Sequence, residues 1–236
     1  MNTSSTLLQG YSDLEKGAYL GAIASIATAD RSASEEEMNH LTQLCTAAGL
    51  SAEQQEIVLA SANEISGEDL KESLEVLKTS ELRFSLVTDL IAFAKADENY
   101  SEAEEQNVQK IAEYLEVNQQ QMAVLDQFAE KTSGENIDPQ AAQEGGFLSS
   151  LGLKDKMQAA GINGGGLLKS LISLAAPMIL GRLMGGGRRS MGGGLAGGLG
   201  GMLGGGGLGS LIGMLSGGRG TGSAGGLLGR ILGGRR

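Results

Sequence analysis

The first half of the chain states one helix–loop–helix unit twice, in a constant register. The run Ala29-Asp30-Arg31-Ser32-Ala33-Ser34-Glu35-Glu36-Glu37 returns as Ala96-Asp97-Glu98-Asn99-Tyr100-Ser101-Glu102-Ala103-Glu104. The register extends outward, pairing Ile23 with Leu90, Ile26 with Phe93, Leu41 with Val108, Leu44 with Ile111 and Leu50 with Val117. Two units with matched apolar positions must bury matched faces, which restricts the fold to a bundle with internal symmetry. The same duplication sets carboxylates at two related places in one domain, and that suits a binding module better than an enzyme.

Helix start signals are dense. Ser12 with Glu15, Ser34 with Glu37 and Ser101 with Glu104 have capping-box spacing, in which serine caps one backbone N–H and glutamate reaches back to another. Ser51 with Gln54 and Asn118 with Gln121 repeat the geometry with amides, Ser66 can cap a short helix, and Gly49 is a left-handed stop. Apolar positions recur at helical spacing through Leu14, Ala18, Ile23 and Ile26, then Met38, Leu41, Leu44 and Cys45, and on to Val124, Leu125 and Phe128. No stretch alternates with the period of a strand. The pattern predicts an all-α bundle of about seven helices with an internal pseudo-twofold repeat over residues 11–131, after an N-terminal segment 1–10. A polar linker over 132–165, opened by breakers such as Ser133-Gly134 and Asp138-Pro139, then leads to a Gly/Leu/Arg-rich tail over 166–236.

The motif Ala-Asp-x-x-x-Ser-x-x-Glu stands at Ala29–Glu37 and again at Ala96–Glu104. Each copy follows a small and apolar helix and precedes an amphipathic helix that ends in Gly49-Leu50-Ser51 or Glu116-Val117-Asn118. This arrangement resembles the TerB-like fold, a family that includes tellurite-resistance TerB proteins and the N-terminal domain of the membrane-anchored co-chaperone DjlA. Arg31 and Glu98 stand where a glycine commonly follows each aspartate. The resemblance implies a compact helical domain without catalysis, whose acidic residues bind divalent metal and which serves envelope stress and membrane complexes.

Charge divides the chain as sharply as glycine does. Up to Glu144 there are 8 Lys and Arg against 27 Asp and Glu, a net −19, whereas the remainder carries +9 with Asp155 as its single acid. Glycine contributes 6 of the first 144 residues and 33 of the last 92. Such a reversal points to an anionic partner for the basic end, or to contact between the two ends. The acidic loops offer Asp30, Glu37, Asp97 and Glu104 as ligands for a hard cation, Ca2+ or Mg2+, should the repeat bring them together. Helix capping and Asx turns account for the same residues without a metal. An EF-hand does not fit, because the twelfth positions are Leu41 and Val108 instead of a bidentate glutamate.

His40 is the only histidine, which leaves histidine-built zinc sites and catalytic triads without support, and it is expected on an exposed helix face. Cys45, the only cysteine, falls at a core position and fits a reducing compartment. The glycine runs lack the Gly-Lys-Ser/Thr of a phosphate-binding loop. Met1–Gly17 has no apolar run of the secretory kind, so a cytoplasmic location is expected.

In the tail a theme recurs as Gly165-Gly166-Leu167-Leu168-Lys169-Ser170-Leu171-Ile172, Gly206-Gly207-Leu208-Gly209-Ser210-Leu211-Ile212 and Gly225-Gly226-Leu227-Leu228-Gly229-Arg230-Ile231-Leu232. The apolar run from Leu171 to Gly181 is shorter than the roughly 20 residues of a membrane span. Peripheral attachment to the inner face of a membrane, or to a membrane protein complex, is the expectation. Leu167, Leu168, Leu171, Ile172, Leu211, Ile212, Leu227, Leu228 and Ile231 would enter the acyl boundary. Lys169, Arg182, Arg188, Arg189, Arg219, Arg230, Arg235 and Arg236 would meet anionic headgroups. Nucleic acid is disfavoured, since Phe147 is the single aromatic beyond residue 145 and bases would find nothing to stack on. The combined expectation is a non-enzymatic stress-response adaptor. The alternative is a structural protein whose tail self-assembles into oligomers or filaments.

Overall fold

The computed structural model describes residues 7–27, 35–62, 67–96, 102–132 and 146–172. Among them are ten helices and no strand: α1 (Asp13–Ala27), α2 (Glu35–Ala47), α3 (Ala52–Ser61), α4 (Gly67–Leu77), α5 (Leu82–Ala96), α6 (Glu102–Tyr114), α7 (Gln119–Thr132), α8 (Phe147–Ser150), α9 (Lys154–Ala159) and α10 (Gly164–Ser170).

The duplication in sequence is a duplication in structure. Helices α2 and α6 start on paired residues of the repeat, Glu35 and Glu102, and end on another pair, Ala47 and Tyr114. Helices α3 and α7 start on the pair Ala52 and Gln119. In each unit the first helix is the central one. From Ala18 to Ile26 of α1, and from Phe84 to Ile91 of α5, the side chains are buried on every face, as a helix without a polar stripe requires. Around α1 pack α2, α3 and α4, around α5 pack α6 and α7, and the two central helices meet each other. The outer helices bury single stripes, such as Leu70, Leu74 and Leu77 of α4 and Val124, Leu125 and Phe128 of α7.

Helix ends repeat as closely as helix starts. At the close of α2, Gly49 has φ +74°, its N–H donates to the Thr46 carbonyl and the Leu50 N–H donates to the Cys45 carbonyl at 3.1 Å. At the close of α6, Glu116 has φ +58°, its N–H donates to the Glu113 carbonyl and the Val117 N–H donates to the Ala112 carbonyl at 2.9 Å. Both are Schellman stops, with the apolar residue that follows the turn, Leu50 or Val117, buried against the helix. The next helices then start on reciprocal caps. Ser51 and Gln54 form a capping box, and Asn118 and Gln121 exchange two hydrogen bonds of 3.0 and 2.9 Å.

The helical body does not stop near residue 131. The span expected to be a linker, over 132–165, contains α8, α9 and the start of α10 within its described part, and these helices pack on the bundle. Leu153, Met157, Ile162, Leu167, Leu168, Leu171 and Ile172 all join the main hydrophobic core. Glycine misled the expectation because here it marks turns. Gly152 and Gly161 have φ +67° and +71° and close two more Schellman stops, each followed by a buried residue, Leu153 or Ile162. Gly164 permits close packing, since a Cβ there would lie 2.3 Å from Leu148 Cδ1.

Candidate functional site

The most distinctive chemistry in the described residues lies where the tail leaves the bundle. Helix α10 lies on α5. Asn163 caps it by accepting from the Gly166 N–H at 3.1 Å. Ser85 of α5 and Ser170 of α10, both fully buried, place their Oγ atoms 2.6 Å apart. One turn further along α5, the fully buried Asp89 accepts a hydrogen bond from the Tyr19 hydroxyl of α1. The same carboxylate oxygen accepts the backbone N–H of Ile172 at 2.9 Å.

Burial, together with the Asp89 carboxylate, raises the Tyr19 phenol well above its ordinary pKa, so Tyr19 remains a donor at any working pH. Tyr11 lies beside the same contact. Burial raises its phenol despite a hydrogen bond with Ser170. In the first unit the positions equivalent to Ser85 and Asp89 are Ala18 and Ala22. The second central helix thus differs from the first at the two side chains that grip the root of the tail. No motif in the sequence singles out Ser85, Asp89 or Tyr19; the available signal was that the repeat pairs Ser85 and Asp89 with the alanines Ala18 and Ala22.

The expected tail contacts separate into two groups. Leu167, Leu168, Leu171 and Ile172, assigned from sequence to a membrane or partner surface, are buried in the core, whereas Lys169 is exposed on the outer side of α10. Four buried aliphatic side chains on one short segment, each worth roughly 1.5–3 kcal/mol, favour the bundle over water as their environment. Arg182, Arg188, Arg189, Leu211, Ile212, Arg219, Leu227, Leu228, Arg230, Ile231, Arg235 and Arg236 lie outside the described residues. Among the described residues no helix is long and apolar enough to cross a membrane.

Of the four expected metal ligands, Asp30 and Asp97 lie outside the described residues. Glu37 and Glu104 are each the third residue of their helices, in matching register, with side chains outside the description. Among the described residues no group of three or more His, Cys, Asp or Glu is placed to hold a metal ion. Helix α1 shows what the capping glutamates do where they are described: Glu15 accepts from the Ser12 N–H at 2.9 Å and from the Ser80 hydroxyl at 2.6 Å. His40 is half-buried on α2 instead of exposed, and Cys45 is fully buried, with burial pushing its thiol up to about 12. Such a thiol is a packing residue without nucleophilic character at neutral pH.

Residues 16–127 match the family model of the tellurite resistance protein TerB. Comparison with curated proteins gives no match, nor does comparison with solved structures. The match spans the two repeated units and ends before α8, so the helices that root the tail are additional to it. The duplicated α-helical bundle of this chain is TerB-like over residues 16–127.

Proposed function

We infer that the protein is a non-catalytic adaptor in a stress response of the tellurite-resistance type, tethered by its basic tail to the cytoplasmic face of a membrane or to a complex there. The observation that carries this inference is the anchoring of the tail root at Ile172 to the buried Asp89, followed over 173–236 by seven arginines and no acid. A chain rooted in a core and basic beyond it is suited to hold an acidic domain at an anionic surface. Each arginine near such a surface contributes about 1 kcal/mol, and the glycine-separated Leu211, Ile212, Leu227, Leu228 and Ile231 add apolar contact. Divalent-cation binding by Asp30, Glu37, Asp97 and Glu104 belongs to the same proposal, supported by the matching starts of α2 and α6. A calcium or magnesium titration left unchanged by Asp30→Asn with Asp97→Asn would remove it.

Vesicle co-sedimentation tests the attachment. Full-length protein should pellet with phosphatidylglycerol vesicles at low salt, release at high salt as charges are screened, and ignore neutral vesicles. A variant with the seven arginines beyond Ile172 replaced by glutamine should stay in solution. Pelleting of the full chain without lipid would instead favour the self-assembling structural protein.

A further inference from the structure

The segment docked on α5 has a second copy in the tail. Residues 204–212 repeat residues 164–172 with seven of nine positions identical: the three leading glycines, Leu168 as Leu208, Ser170 as Ser210, Leu171 as Leu211 and Ile172 as Ile212. The identities fall at positions that docking of the first segment uses: Gly164, where a Cβ would clash with Leu148, Ser170, whose hydroxyl meets Ser85, and Leu171 and Ile172, buried at the root. The Asn163 cap is not repeated, since Leu203 stands at its position. One difference costs no packing, because Lys169, here replaced by Gly209, is exposed, but glycine inside the helix still costs about two- to fivefold through its poor propensity. The other weakens the copy: Leu167 is buried and Gly207 has no side chain to replace it.

The third segment, 224–232, fails the same comparison. It keeps Leu227 and Leu228 but puts Arg230 at the position of Ser170. Ser170 is fully buried against Ser85, and no guanidinium fits there.

We propose that the α5 groove lined by Tyr19, Ser85 and Asp89 is a docking site with two occupants from the same chain, residues 164–172 in the major state and residues 204–212 in a minor one. Exchange moves the root of the tail from Ile172 to Ile212 and frees the first segment. Loss of the Leu167 contact, glycine at 209 and Leu203 at the position of the Asn163 cap together disfavour the second occupant by roughly a hundred- to ten-thousandfold. Tethering does not narrow the gap to the first segment, which is tethered as well, but it presents the copy at roughly millimolar effective concentration, far above what a second molecule supplies at micromolar protein. The occupant is therefore the tail's own copy and not a neighbour's.

Disulfide trapping in the full chain tests this. In a Cys45→Ala background, Ser85→Cys with Ser170→Cys is the reference pair, and Ser85→Cys with Ser210→Cys reports the second occupant under oxidised glutathione. The 210 pair should close as an internal disulfide in monomer, more slowly than the reference and at least tenfold faster than Ser85→Cys with Ser216→Cys, a tail serine outside the repeat. Adding Ser170→Arg, which gives the first segment the side chain that excludes the third, should raise 210 trapping at least tenfold. Adding Leu211→Asp should abolish it. Closure of the 210 pair no faster than the 216 pair overturns the proposal, as does closure seen only in covalent dimers whose yield rises with protein concentration.

Discussion

Gly49 and Glu116 hold the same left-handed backbone, at φ +74° and +58°, at equivalent ends of α2 and α6. Only the first has the residue type that the conformation favours, since a side chain there costs roughly 1–2 kcal/mol. Glu116→Gly should therefore raise stability by about 0.5 kcal/mol, the relief of strain exceeding the added freedom of the unfolded chain. Gly49→Ala should lower it by about 1 kcal/mol. Urea unfolding with unchanged m-value reads both, and opposite signs at the two sites are the expected result.

Tyr19 and the backbone of Ile172 converge on Asp89 from different elements. A hydrogen bond to a buried charged group contributes about 1.5–3 kcal/mol, and a partner left unmatched adds its own desolvation cost. Tyr19→Phe should cost about 2 kcal/mol in chemical denaturation, and Asp89→Ala, which orphans both donors, about 3 kcal/mol or more. A cost below about 1 kcal/mol for Asp89→Ala would mean that the carboxylate does not hold the tail root.

Gly164 and Gly165 are neighbours with opposite tolerances. A Cβ on Gly164 would lie 2.3 Å from Leu148 Cδ1 and 3.1 Å from Met157 Sδ, while on Gly165 nothing lies nearer than 3.7 Å. Gly164→Ala should destabilise by up to about 1 kcal/mol, because the half-buried Leu148 side chain must turn aside to admit the methyl group. Gly165→Ala should be neutral or stabilise by up to about 1 kcal/mol through helix propensity. Thermal unfolding of the two single variants distinguishes them.

Acid should loosen the link between α1 and the turn before α5. Burial works to raise the Glu15 pKa, but hydrogen bonds from the Ser80 hydroxyl and from the Ser12 side chain and backbone outweigh it and hold the group below the ordinary 4.5. A depressed folded-state pKa contributes stability that is present above 4.5 and is lost as pH falls through the folded value. Glu15→Gln should flatten the pH dependence of stability below 4.5 and leave a smaller stability difference there than at neutral pH. Denaturant midpoints across that range provide the check.

The repeat was legible because capping and periodicity are local. Ser51-Gln54, Asn118-Gln121 and the two helix stops each lie within a short stretch of chain, and the register of the repeat aligned them before any packing was known. Two features were not legible. Glycine density made 146–172 read as linker and tail, although Gly152 and Gly161 terminate helices and Gly164 permits a close approach; composition does not distinguish a glycine that turns from one that loosens. The gripping residues were hidden for a different reason. Ser85 meets Ser170, and Asp89 meets both Ile172 and Tyr19, across long separations in sequence that local spacing cannot report. Leu171 and Ile172 were apolar residues in search of a surface, and the nearest apolar surface was the bundle itself.

Hydrogen exchange of the full-length protein, with and without phosphatidylglycerol vesicles, tests the central claim that an integral root and a separate basic attachment segment share one tail. The account predicts that the Ile172 amide, donated to Asp89, is protected without lipid, though less than the core of α5 because the docked segment also opens when residues 204–212 take its place, and that vesicles slow exchange only beyond it. Fast exchange at Leu171 and Ile172 without lipid would contradict the docked root. Loss of their protection on adding vesicles would contradict the division, placing these residues in the membrane instead of the fold.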